Sequence, residues 1–165
     1  MEKVVGKDLG MFKKFAHDWA ILTAGKNNDF NSMTIAWGGF GSMWGRPAAF
    51  LFVRPSRYTF EFIKRYDEMT ISFYGEDYRK ELGVFGTKSG RDTDKLELTG
   101  FKPYQLAGGV TYEEAVETYV CRKIFMQQLD KKQIPDFAQS FYNGPGPDNQ
   151  EHYFIIAEIQ EKITQ

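Results

Sequence analysis

Ala48-Ala49-Phe50-Leu51-Phe52-Val53, followed at once by Arg54-Pro55-Ser56-Arg57-Tyr58-Thr59, is the stretch from which the fold can be read. Its first six residues are apolar without a break and stop short of helix length, which predicts a strand buried on both faces. Arg54-Pro55-Ser56 ends that strand, and Ser56 is placed to cap a helix over Arg57–Arg65, whose Phe62, Ile63 and Tyr66 lie near one face. Towards the N-terminus, Trp19–Thr23 and Ser32–Trp37 read as two strands joined through Ala24-Gly25 and a polar turn, and Gly38-Gly39-Phe40-Gly41 reads as a bend. Towards the C-terminus come a strand over Met69–Tyr74 and short helices over Arg79–Phe85 and Thr93–Leu98, stopped by Gly86 and Gly100. A strand over Thr118–Leu129, a helical turn at Pro135–Ser140 and a last strand over Tyr153–Ile159 follow. In that last strand Phe154, Ile156 and Glu158 face one way and Ile155, Ala157 and Ile159 the other. About six strands that do not alternate with long helices exclude a doubly wound parallel sheet and favour a mainly β, mostly antiparallel barrel with short peripheral helices.

The composition agrees with one domain spanning residues 1–165. Apolar residues make up 42%, too many for a disordered chain. Aromatics reach 16%, with 15 Phe and 9 Tyr, a surplus that suits either a flat ligand to stack or an interface to fill. A formal net charge of −1 is not that of a nucleic-acid protein. No apolar run is long enough for a membrane helix, and Met1–Lys14 shows no secretory core, so a cytoplasmic protein is expected. Cys121 is the single cysteine. It excludes an internal disulfide and a thiolate cage, and its strand-like neighbours predict a buried thiol.

Self-contained catalysis finds no support. His17 and His152 are the two histidines, there is no metal-ligand cluster, no GxSxG elbow and no P-loop, and Trp37–Gly45 (WGGFGSMWG) is not GxGxxG. A bound cofactor would have to carry the chemistry, with no catalytic side chain of the protein's own. Four segments offer places for one. Asn31, Ser32, Met33 and Thr34 put small donors and a thioether at a strand entrance, suited to the edge and face of a flat heteroaromatic. An ordinary turn entering a strand accounts for the same residues. Arg54, Ser56, Arg57 and Thr59 put two cations and two hydroxyls at a helix start, where free N–H groups favour an anion. A capped helix with solvent-facing arginines is the alternative. Ser89, Arg91 and Lys95, within Lys88–Leu96, could close over a phosphate from a helix capped by Asp92 or Thr93, or form a solvated loop with local ion pairs. His152, opening the last strand, could meet a cofactor or a nicotinamide, or be structural.

Read together, the motifs NSMTIAWGGFG (Asn31–Gly41), RPAAFLFVRPSRYTFEFI (Arg46–Ile63), ISFYG (Ile71–Gly75), SGRDTDKL (Ser89–Leu96) and HYFIIAEI (His152–Ile159) resemble the flavin reductase-like family, its flavoredoxin branch in particular. The resemblance implies an FMN-binding split β-barrel with Greek-key connections, working as a homodimer with one FMN per subunit near the interface. It implies an oxidoreductase that passes electrons from NAD(P)H through FMN to free flavin, a metal complex or a protein. An electron carrier without its own nucleotide site, or a cofactor-free binding module, would use the same barrel. By similarity Asn31, Ser32, Met33 and Thr34 line the isoalloxazine, Arg54, Ser56, Arg57 and Thr59 hold the phosphate end, and Ser89, Arg91 and Lys95 belong to a phosphate-side or partner-chain loop. Trp37 and Trp44 flank a loop that walls the flavin or fills the dimer contact. One departure is Ala157, where related last strands carry glycine before the acid; its methyl narrows the nicotinamide side next to His152.

Overall fold

Nine strands appear among the described residues of this computed structural model, 10–146 and 149–165. They are β1 (Ala20–Lys26), β2 (Asp29–Ile35), β3 (Gly38–Met43), β4 (Arg46–Val53), β5 (Glu68–Phe73), β6 (Pro103–Leu106), β7 (Gly109–Tyr112), β8 (Glu117–Gln128) and β9 (Tyr153–Thr164). Seven form one sheet in the order β2-β1-β5-β8-β9-β4-β3, every neighbouring pair antiparallel. β6 and β7 form a separate ribbon. Four short helices decorate the sheet: α1 (Gly10–Lys13), running into a π-helical turn at Lys14–Asp18, α2 (Tyr58–Arg65), α3 (Arg79–Thr87) and α4 (Lys95–Thr99).

The sheet curls about one face. Met33 and Ile35 of β2, at one edge, share a buried cluster with Ala49, Leu51 and Val53 of β4, near the other, and with Ile155 and Ala157 of β9. Register shifts at Val120/Cys121 and Lys123/Phe125 bend the long β8–β9 pair, as bulges do. β2 and β3 do not pair, so the barrel stays split. Ile155, Ala157 and Ile159 face this core together, as their alternation predicts. A second cluster, on the other side of β1, gathers Tyr74, Leu82, Phe85, Phe101 and Tyr112 beneath α3 and the β6–β7 ribbon. Much of the aromatic surplus is used there. Cys121 is fully buried, and burial pushes its thiol up to about 12.

Several sequence expectations change. The count of about six strands is low. Gly38–Gly41 belongs to a strand, not a bend. A Cβ on Gly38 would stand 2.8 Å from the Phe50 carbonyl and 3.0 Å from the Phe15 ring, so close packing, not turning, explains the residue. The turn comes later, at Trp44-Gly45, both at positive φ (51° and 72°) as a tight hairpin requires. The β6–β7 ribbon is short and starts at a proline, a weak strand signal. β4 is buried on one face only, because Phe50 and Phe52 remain half-exposed on the other. Ser56 does not cap α2; Arg57 occupies the cap position, and its side chain makes no capping bond to the helix. α4 is capped by Asp94, whose carboxylate accepts from the N–H groups of Leu96 (2.9 Å) and Glu97 (3.1 Å), not by Asp92 or Thr93.

Candidate functional site

Two hollows lie side by side along the free edge of β2, and Met33 and Arg57 line both. The first, of about 170 Å³, sits at the N-terminus of α2. Asn31 and Met33 come from β2, Ser56, Arg57 and Thr59 from the helix entrance, and Ser89, Arg91 and Lys95 from the segment joining α3 to α4, with Lys88 on the rim. Its lining among the described residues has four cations and no acid. The positive end of the α2 dipole adds to that field.

Local contacts hold this hollow in shape. The amide of Asn31 lies 2.7 Å from the Thr59 hydroxyl. Turned with its oxygen inward, it also accepts from the N–H groups of Thr59 (3.3 Å) and Ser32 (3.2 Å). Gly90 passes so close that a Cβ would stand 2.2 Å from that amide. Arg91 ties the 88–94 loop to α2, donating to the Ser56 carbonyl (3.1 Å) and pairing with Glu61 (2.6 Å). Lys95 is buried, and its ammonium donates to the carbonyls of Ser32 (2.8 Å) and Phe85 (3.3 Å). Burial, and then the Arg57 charge, pull its pKa down to about 8. Two cations this close raise the local positive potential, which an anion placed between them would lower.

The second hollow, of about 250 Å³, is flatter and more aromatic. Met33–Trp37 form one side, Phe52 and Arg54 from the end of β4 another, and Gly86 and His152 complete it. β2 is an edge strand, so every second residue turns its backbone N–H and C=O away from β1. The Ser32 carbonyl is one such outward group, taken by Lys95. By the two-residue period the next outward pair belongs to Thr34, within this hollow. The Thr34 hydroxyl itself donates to the Leu82 carbonyl.

The sequence-selected residues therefore converge, with one redistribution. Arg54 sits in the aromatic hollow, where its guanidinium donates to the Phe141 carbonyl (2.9 Å). Arg57 bridges the hollows and donates to the Gly86 carbonyl (2.6 Å). The Ser32 hydroxyl points inward, to Thr23 (2.8 Å) and Tyr112 (2.6 Å), leaving only its backbone near the groove. His152 is buried on the aromatic side, 4.7 Å between ring centres from Trp37. Burial, and then the Arg54 charge, lower its pKa to about 4, so it is neutral at pH 7. Phe52, Gly86 and Tyr142 escaped the sequence reading. Phe52 looked like core, and nothing in the spacing of Pro135–Ser140 ties Tyr142 to residues before 60.

A larger hollow of about 680 Å³ lies between the Gly10–Asp18 segment and the end of β5. Lys13 and Arg79 there face Asp18 and Glu76, so its charges cancel and its chemistry is less defined. Among the described residues no group of acids, His and Cys could hold a metal, and no helix is long and apolar enough to cross a membrane.

The fold is a split antiparallel barrel with a cation-lined hollow beside a flat, more aromatic one. The sequence model of the flavin reductase like domain matches residues 12–133, and the chain belongs to that family. Among solved structures it is similar to the flavoredoxin of Methanosarcina acetivorans, at 19% identity and TM-score 0.69, over 100% of this chain and 76% of that one. It is similar also to an FMN-binding protein of Thermus thermophilus solved with p-hydroxybenzaldehyde, at 14% identity and TM-score 0.71, over 100% and 81%. The styrene monooxygenase flavin reductase of Pseudomonas putida S12 matches at 18% identity and TM-score 0.64, over 89% and 79%. A search of curated proteins finds no match.

Proposed function

We propose that the chain binds FMN along the two hollows and works as an oxidoreductase that passes electrons from NAD(P)H to free flavin, a metal complex or a protein. The observation that carries this reading is the adjacency of the hollows, with Arg57 common to both. The phosphate would lie at the N-terminus of α2, against Ser56, Arg57, Thr59, Ser89 and Lys95, with Arg91 latching the loop over it. The isoalloxazine would lie along β2, its polar rim facing the outward backbone groups of Thr34 and its face against Met33. FMN supplies hydride acceptance and electron release when bound. The protein needs no acid or base of its own for that chemistry. It orients the ring, offers fixed donors to its polar rim and limits water.

Dimerisation is part of the proposal. Phe50 and Phe52 of β4, Phe154 of β9 and Phe125 of β8 form a half-exposed aromatic ladder, with ring centres 5.3–6.3 Å apart at Phe154. Trp44, 63% exposed, extends it. Phe52 belongs to both ladder and ring hollow, so a partner docked there would adjoin the site.

Mixing the purified protein with FMN and then NADH or NADPH, under anaerobic conditions, tests the reading. Two visible flavin bands are expected once FMN binds, and NADH or NADPH should then bleach them as pyridine-nucleotide absorbance is lost. Bound flavin that neither nucleotide reduces would remove the reductase assignment and leave a carrier reduced by a partner protein. Failure to bind FMN would remove both.

A further inference from the structure

His152 and Tyr142 form a buried pair whose proton arrangement can be deduced. The Tyr142 hydroxyl lies 3.0 Å from Nδ1 of His152. Both side chains are more than nine-tenths buried. The Tyr142 ring meets the imidazole edge-on, with centres 5.6 Å apart, while Trp37 packs on its other side at 4.7 Å. The imidazole lines the ring hollow, and its Nε2 has no hydrogen-bond partner among the described residues.

Two arrangements satisfy the 3.0 Å contact. If Nδ1–H donated to the phenol oxygen, the Tyr142 proton would find no acceptor among the described residues, a costly state for a buried hydroxyl. If the phenol donates to Nδ1, the buried proton is used and the imidazole carries its own proton on Nε2. The second arrangement requires a neutral ring, which its burial and the Arg54 cation secure. Arg54 also fastens the Tyr142 segment, by its bond to the Phe141 carbonyl and by lying 5.7 Å from the Tyr142 ring centre. Phe141 in turn meets Trp37 edge-on at 5.3 Å.

We propose that Tyr142 is a positioning residue that locks His152 as the Nε2–H tautomer, so that one neutral donor of fixed direction serves a carbonyl oxygen of the ring held in the hollow. The tautomer stands on the protein alone; the recipient rests on the FMN reading. Tyr142 and His152 lie outside residues 12–133, the stretch matched by the family sequence model.

Long-range 1H–15N NMR of the ligand-free protein at pH 7 tests the tautomer. A pyridine-type Nδ1 and a pyrrole-type Nε2 are expected, collapsing to averaged signals in Tyr142→Phe, which keeps the ring. A wild-type Nδ1–H tautomer, an imidazolium, or signals unmoved by Tyr142→Phe would overturn it. The recipient is tested by titrating FMN and riboflavin into His152→Leu and His152→Gln. His152→Leu should raise both dissociation constants about fivefold, the size of one neutral hydrogen bond, whereas His152→Gln, which keeps a donor near Nε2, should stay within about twofold of wild type. Constants unchanged in His152→Leu would overturn the donor role. Wild-type protein that binds neither flavin would sink the FMN reading while leaving the NMR result intact.

Discussion

The two ends of the groove are built on different principles. The cationic end takes nearly all its walls from two short segments, Ser56–Thr59 and Thr87–Lys95, with Asn31 and Met33 as the floor. The aromatic end assembles Met33–Trp37, Phe52, Arg54, Gly86 and His152, and is backed by Phe141 and Tyr142. One end works through charge and the helix terminus, the other mainly through shape and edge-strand backbone, with Arg54 at its border and Arg57 shared between them. A ligand with both a phosphate and a ring would be held by two independent kinds of interaction, and riboflavin against FMN separates them.

Arg57→Ala should have the largest effect on that contrast. FMN binding should weaken by about 1.5–3 kcal/mol, the usual worth of a charged hydrogen bond, with riboflavin changed far less. Fluorescence titration reads both, and equal losses would assign Arg57 to the ring instead. Lys95 gives the next effect, through pH. Its folded pKa of about 8 lies below the usual 10.5. The FMN dissociation constant should rise as pH climbs through about 8 and the charge is lost, while riboflavin stays flat. Stability of the ligand-free protein should move oppositely. Between about pH 8 and 10.5 the unfolded chain holds the extra proton, so folding should strengthen as pH rises through that window, as denaturant titrations would show. A smaller change is expected for Gly90→Ala. The new methyl must push the Asn31 amide off Thr59, a loss of about 0.5–1.5 kcal/mol in FMN affinity. Unchanged binding would show that the loop yields without cost. Of about the same size, Trp37→Leu should cost about 0.5–1.5 kcal/mol of ring binding, alike for FMN and riboflavin, since it removes an aromatic wall and no charge.

Legibility in the sequence follows the same divide. Val53–Thr59 announces its chemistry because a strand end, a proline and a helix start put the arginines and N–H groups in one place within seven residues. Ser89–Lys95 reads nearly as well; only its cap was displaced, from Asp92 or Thr93 to Asp94, a shift within the polar run that alternation cannot resolve. The aromatic end was half legible. Met33 and Thr34 are on a strand with a clear period, whereas Phe52 sits in an apolar run whose two faces look alike until the core packs against Ala49, Leu51 and Val53 on the other face. Arg54 was drawn to the phosphate by its neighbours, yet the strand end directs it towards Phe141. Ser32 was selected for its hydroxyl, but the alternation of β2 turns that group to Tyr112 and offers the carbonyl instead. β3 was missed because glycine lowers strand propensity; its role depends on Phe15, more than twenty residues away, needing room.

β2 is the outermost strand on its side of the sheet, with a row of unpaired backbone groups that another chain's strand could copy. Lys95 and Asn31 occupy the stretch around Ser32, and the 88–94 loop shelters it. From Thr34 to Ala36 no side chain among the described residues takes the outward backbone groups, although α3 packs beside Thr34. A flavin lying there would act as the missing neighbour, so depletion of the cofactor should make this border sticky and promote strand-to-strand clumping on storage.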